Sequence, residues 1–226
     1  MIRLTQIKLP ADHTPEMLTK KAAKLLRISP EEIRELHIRK RSLDARKKPE
    51  LFYSYTVDVS VKREAELIHK LKNPQISLCK EVRYRFPESG ETVLKERPLI
   101  IGTGPAGLFC GLMLARQGYR PVLLERGSAV DERQKKVNAF WQGGALDMQT
   151  NVQFGEGGAG TFSDGKLNTL VKAPLGRGKL VLELFTEFGA GPSILYDHKP
   201  HIGTDVLAEV GKHMREEINR LGGTGR

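Results

Sequence analysis

The residues with the clearest chemical content are Gly102, Gly104 and Gly107, which stand in G-x-G-x-x-G spacing within PLIIGTGPAGLFCGLMLARQGYRPVLLERG, residues 98–127. The apolar run Leu99, Ile100, Ile101 before them reads as a strand buried on both faces. The stretch after them reads as a helix, and Val122, Leu123 and Leu124 as a second strand. In this arrangement Gly102 turns the chain out of the strand, Gly104 admits a pyrophosphate to the backbone, and Gly107 lets the helix lie close to the sheet. The helix start favours an anion through its free N–H groups and dipole. Glu125 closes the second strand, about where an acidic side chain accepts bonds from a ribose. That carboxylate disfavours NADP, whose 2′-phosphate would meet a like charge. The chemistry leaves NAD and FAD open, and a plain glycine turn in a βαβ unit is the alternative to both.

A second glycine-rich run, NVQFGEGGAGTFSDGKLN, covers residues 151–168. It is too rich in glycine for an ordinary helix or strand. Gly157, Gly158, Ala159 and Gly160 allow close backbone approach to a ligand, while Thr161, Ser163, Asp164 and Lys166 carry polar groups. Such a loop suits a flat ring that needs backbone donors along one edge; a surface loop is the alternative. Lys166 is the side chain that would set a positive charge near a reduced, anionic flavin. Between the runs, residues 131–140 read as a polar helix, on which Arg133 offers charge to dinucleotide phosphates or to solvent. His198 and His201 stand beside Asp197, as a metal or base cluster or as a proline-broken structural loop. No metal site is expected.

The elements that must position these residues occupy two domains in an α/β chain. Residues 1–86 read in the order β-α-β-β-α-β, as in a ferredoxin-like α+β sandwich. Thr14 and Pro15 start the first helix. Alternating residues over 51–61 mark the strongest strand, and alternation from Ile76 to Phe86 marks the last one. Residues 87–97 are a polar linker, and residues 98–226 form a Rossmann-like domain expected to be incomplete at its C-terminus. The chain has 226 residues, 28% charged and 39% hydrophobic, with a net charge of +10. Residues 1–97 hold 22 Lys and Arg against 14 Asp and Glu, so the basic excess lies there. Arg39, Lys40, Arg41, Arg46, Lys47 and Lys48 cluster within it. This is a solvated face, a docking face, or a nucleic-acid contact; an aromatic-rich strand for base stacking is missing. No apolar run approaches membrane-helix length and no signal peptide is apparent. Two separated cysteines, Cys79 and Cys110, fit a reducing cytoplasm better than a disulfide framework.

The Gly104–Gly107 form GPAG and the ending Glu125, Arg126, Gly127 resemble the FAD domains of two-dinucleotide-fold flavoproteins. Taken with NVQFGEGGAGTFSDGKLNT and the basic segment RKRSLDARKK, the chain resembles the bacterial family of FAD-dependent dehydrogenases, NAD(P)/FAD-dependent oxidoreductases, over nearly its whole length. The resemblance implies FAD held by Gly102, Thr103, Gly104, Pro105, Ala106, Gly107, Glu125, Arg126, Arg133 and the residues Gly157–Lys166 named above. It implies hydride transfer through flavin N5, a small-molecule substrate of no fixed identity, and NAD(P)H as electron donor. It names no catalytic side chain. Members of that family continue further, so the chain is expected to be a fragment. The competing expectations are an RNA-binding or RNA-modifying flavoprotein, and a non-catalytic FAD-binding protein.

Overall fold

The computed structural model describes residues 1–46, 48–169, 171 and 173–225, in two compact units. The chain is mixed α/β, with one antiparallel and one parallel sheet. The first unit comprises residues 1–84, 171–180 and 193–200. Its strands are β1 (Ile2–Pro10), β2 (Glu35–Asp44), β3 (Phe52–Ser60) and β4 (Ile76–Leu78), antiparallel in the order β2-β3-β1-β4. Helices α1 (Pro15–Leu26) and α2 (Glu64–Leu71) connect them. Leu18, Ala22 and Leu26 of α1 pack with Ile2, Leu4, Ile7, Leu9, Tyr55, Val57 and Val59 of the sheet. Each such large side chain contributes about 1.5–3 kcal/mol on burial. The buried positions of β1 break a strict period of two between Leu4 and Ile7. A register shift there, with Gln6 at φ 57°, returns Ile7 and Leu9 to the core face.

The last strand is much shorter than the alternation to Phe86 predicts. In its register Leu78 lies opposite Ile2, and the Cys79 N–H donates to the Met1 carbonyl at 3.0 Å. Residues beyond Cys79 therefore run past the partner strand, and Val82 is exposed. On the opposite sheet face Asp58 is 1% exposed and accepts from Arg3 and Arg39, each at 2.7 Å. Arg41 is bonded to Asp197 at 2.7 Å and Arg46 to Asp44 at 2.8 Å. Three of the six clustered cations thus already face carboxylates; Lys47 lies outside the described residues.

The second unit comprises residues 85–170, 181–192 and 201–226, of which Leu170 and Arg226 are not described. Strands β5 (Leu99–Ile101), β6 (Val122–Leu124) and β7 (Thr224–Gly225) form a parallel sheet in that order. Helix α3 (Pro105–Arg116) joins β5 to β6; α4 (Val130–Trp141) follows; the second half of α5 (Arg177–Glu187) and α6 (Thr204–Arg220) precede β7. Helix α6 buries Ala208, Val210, Met214 and Ile218, the one-sided stripe expected from their spacing. The Arg97 guanidinium donates to the carbonyls of Arg120, Pro121 and Gly222, tying the starts of the strands together. Among the described residues no helix is long and apolar enough to cross a membrane.

Candidate functional site

The chain leaves β5 at a tight corner. Gly102 sits at φ +92°, a region that costs an L-residue about 1–2 kcal/mol, and its N–H donates to Leu124 O at 2.7 Å. A Cβ on Gly107 would collide with the Gly102 carbonyl, so helix and corner touch through backbone alone. Gly104, the N-cap of α3, differs from both. Its φ is −65°, and the nearest heavy atom to an added Cβ is Gly158 Cα at 4.0 Å. The fold thus accounts for glycine at 102 and 107 but places no demand for it at 104. Pro105 holds the first helical position, where a missing N–H costs nothing.

Glu125, which follows the last residue of β6, accepts four hydrogen bonds. One carboxylate oxygen accepts from the Thr103 N–H at 2.7 Å and the Thr103 hydroxyl at 3.0 Å; the other accepts from the N–H groups of Gly127 and Gly155, both at 3.1 Å. Burial pushes this carboxyl up, but the bonds from Thr103 and Gly127 outweigh it and hold it below the ordinary range. Glu125 thereby stitches the glycine corner to the second glycine run. The Gly157 N–H adds a bond to the Thr103 carbonyl at 2.8 Å.

Arg133 takes neither role that its position on a polar helix suggested. It is fully buried and donates from Nε to Asn151 O at 2.9 Å, from Nη1 to Glu156 O at 2.6 Å and Gly158 O at 2.8 Å, and from Nη2 to Val152 O at 2.8 Å. The polar stretch hid this use, because the partners are carbonyls, which no side-chain pattern records. Glu156 was also missed: it is 3% exposed, accepts from Val130 N–H at 2.8 Å and pairs with Arg215 at 2.7 Å. Burial pushes its carboxyl up. Arg126 lies with its guanidinium 3.9 Å from the centre of the Phe154 ring.

The rest of the second run forms a short 3-10 turn, Ala159–Phe162, which buries Thr161. The Ser163 hydroxyl donates to Gly160 O at 2.7 Å, and Lys166 pairs with Asp164 at 2.6 Å in solvent. His201 bonds the Asp164 carbonyl at 2.7 Å; among the described residues no group of three His, Cys, Asp or Glu could hold a metal ion.

Two cavities flank the corner. One of about 140 Å³ is lined by Thr103, Glu125, Gly127, Ser128, Glu156 and Arg215. The other, about 510 Å³, lies between the start of α3, residues 157–167 and α6, and is walled largely by apolar side chains. The larger is of ordinary ligand-pocket size. Pro105, Ala106, Gly157, Gly160, Thr161, Ser163 and Lys166 line it, so the structure brings the two sequence-predicted glycine runs to one place.

A domain of unknown function, DUF8436, matches residues 1–60. The chain is also similar to a protein of Clostridium beijerinckii (strain ATCC 51743 / NCIMB 8052) that carries the name "Uncharacterized protein". The two are 46% identical over 222 residues, which is 98% of this chain and 41% of the relative. The chain thus spans about two fifths of the length of the relative it matches, and the similarity runs through both units.

Proposed function

We propose that the second unit binds FAD and forms the dinucleotide-binding part of an oxidoreductase. The observation that carries this reading is Gly104: a glycine at a helix start, in an ordinary conformation, with open space where its side chain would be. A close-approaching phosphate explains that choice, and the first two N–H groups of α3 would meet it. The adenosine end would lie in the smaller cavity, beside Glu125 and Ser128, and the ring in the larger one, beside Gly160, Thr161 and Lys166. Bound there, a flavin supplies hydride transfer at N5. The chain's own part is to hold the phosphates by backbone, to fix the corner through Glu125 and Arg133, and to keep water from the ring with Phe109 and Phe185. The strand order β5-β6-β7 with α3 and α6 between strands supports a Rossmann-like half for this unit. The order β2-β3-β1-β4 supports a ferredoxin-like first unit. A cytoplasmic enzyme taking electrons from NAD(P)H for a small-molecule substrate fits this reading.

Nucleic-acid binding by the first unit is the weaker reading, because a phosphate backbone would have to displace Asp58, Asp197 and Asp44 from Arg39, Arg41 and Arg46. The direct test is the visible spectrum of the purified chain, with any released cofactor identified. Yellow protein releasing FAD is the expected result; a chain that stays colourless after incubation with FAD refutes the proposal.

A further inference from the structure

Helix α6 carries two facts that do not belong together in an ordinary core. Gly211 is buried in the middle of a 17-residue helix, yet a Cβ built on it would meet nothing within 4 Å. Glycine weakens a helix interior by about 1 kcal/mol relative to alanine, so packing should have favoured a larger residue. The helix glycine Gly111 shows the usual reason for one: its Cβ would lie 2.9 Å from a Leu123 methyl, where α3 crosses β6. Gly211 has no such neighbour. It faces the 510 Å³ cavity, with Leu207, Val210 and Met214 on the same wall and Phe109, Val181 and Phe185 completing it.

We propose that Gly211 is the residue that holds this cavity open, and that the space it leaves takes one face of a flat, fused, largely apolar ring system. Resting on the FAD reading, the inference assigns the isoalloxazine to the gap between α3 and α6, lying against the bare backbone of α6. The apolar walls suit the ring faces, and the polar lining residues Thr161, Ser163 and Lys166 suit the pyrimidine edge. Gly211 is here a shape-determining residue that takes no part in proton or hydride movement.

The test compares the full chain with Gly211→Ala and Gly211→Leu, by thermal unfolding and by titration with FAD and with ADP, which lacks the ring. The expected result is a melting point about 2–4 °C higher for Gly211→Ala, with FAD affinity several-fold lower for alanine and at least tenfold lower for leucine, and ADP affinity unchanged. FAD binding at wild-type strength in both variants overturns the inference while leaving the FAD reading intact. Equal losses for FAD and ADP also overturn it, since the change would then act through the phosphate corner. A lower melting point for the alanine variant shows that the methyl meets a wall, with the same consequence. If wild-type chain binds neither FAD nor ADP, the dinucleotide reading falls and the inference with it.

Discussion

Alanine substituted singly at the three glycines of the corner separates what the fold needs from what a ligand needs. At Gly102 the new side chain must sit at φ +92°, so a loss of about 1–2 kcal/mol follows from backbone strain alone. At Gly107 the Cβ collides with the Gly102 carbonyl, and α3 must move off the corner; overpacking of this kind costs about 1–3 kcal/mol or more. At Gly104 the nearest atom is 4.0 Å away and the conformation suits any residue. Alanine is a poorer N-cap than glycine, worth about 0.5–1 kcal/mol, but it also restricts the unfolded chain, a gain of about 0.4–1 kcal/mol. The two nearly cancel. Gly104→Ala should therefore unfold in urea within about 0.5 kcal/mol of wild type, followed by the fluorescence of Trp141. Its affinity for FAD should fall by about 1–3 kcal/mol, which is roughly 5- to 150-fold, because the methyl would occupy the place that the proposal gives to a phosphate oxygen. Wild-type FAD affinity in Gly104→Ala, or a stability loss as large as that of Gly107→Ala, would refute the reasoning.

Arg133→Met removes four bonds to carbonyls, that of Glu156 buried and the others half-buried; unit stability should drop by about 3–5 kcal/mol, with new protease cleavage in residues 151–166 as the readout. Glu125 sits below the ordinary carboxylate range, so its stabilisation is present at neutral pH and disappears as pH falls through that lowered value. Glu156 is raised by burial, so folding favours its neutral form and stability is lost as pH rises through the raised value. Glu156→Gln, which still bonds Arg215, should accordingly gain on wild type as pH rises through that raised value, measured by melting point across pH. Asp58→Asn breaks a buried carboxylate shared by Arg3 and Arg39 and should cost the first unit about 3 kcal/mol, with circular dichroism in urea as the check.

What could be read in advance was whatever depends on neighbours along the chain. The alternation at Tyr55, Val57 and Val59 announces β3, and Thr14 followed by Pro15 announces α1. The glycine spacing announces the turn after β5 because Gly102 and Gly107 answer local geometric needs, a positive φ and a close approach of helix to corner. What escaped depends on contacts between distant segments. The end of β4 is set by its register against β1, with Leu78 opposite Ile2. The sequence offers Arg133 to dinucleotide phosphates or to solvent and hides its carbonyl partners, because its acceptors, on residues 151–158, are main-chain atoms common to every residue. Glu156 is hidden for the same reason: its partners on α4 and α6 meet it only when three elements come together. Gly211 did carry a signal, a helix-breaking residue within the stripe of Leu207, Val210 and Met214, and that signal points to missing volume.

These corrections bear on how an anion would be held. The charged side chains around the corner are already engaged: Glu125 with four donors, Arg133 with four carbonyls, Glu156 with Arg215, Lys166 with Asp164, and Arg126 against Phe154. Glu125 and Arg133 cancel in charge while both bind backbone, so together they fix the shape of the corner without making it attractive to phosphate. The attraction must then come from the start of α3, whose N–H groups and dipole act over the first turn. A site that works through main-chain donors needs the ligand to come within hydrogen-bond distance of the chain itself. On the proposed reading, that requirement would make a missing side chain at Gly104 worth the weaker cap, while Glu125 and Arg133, bonded to backbone, would serve only to hold the corner's shape.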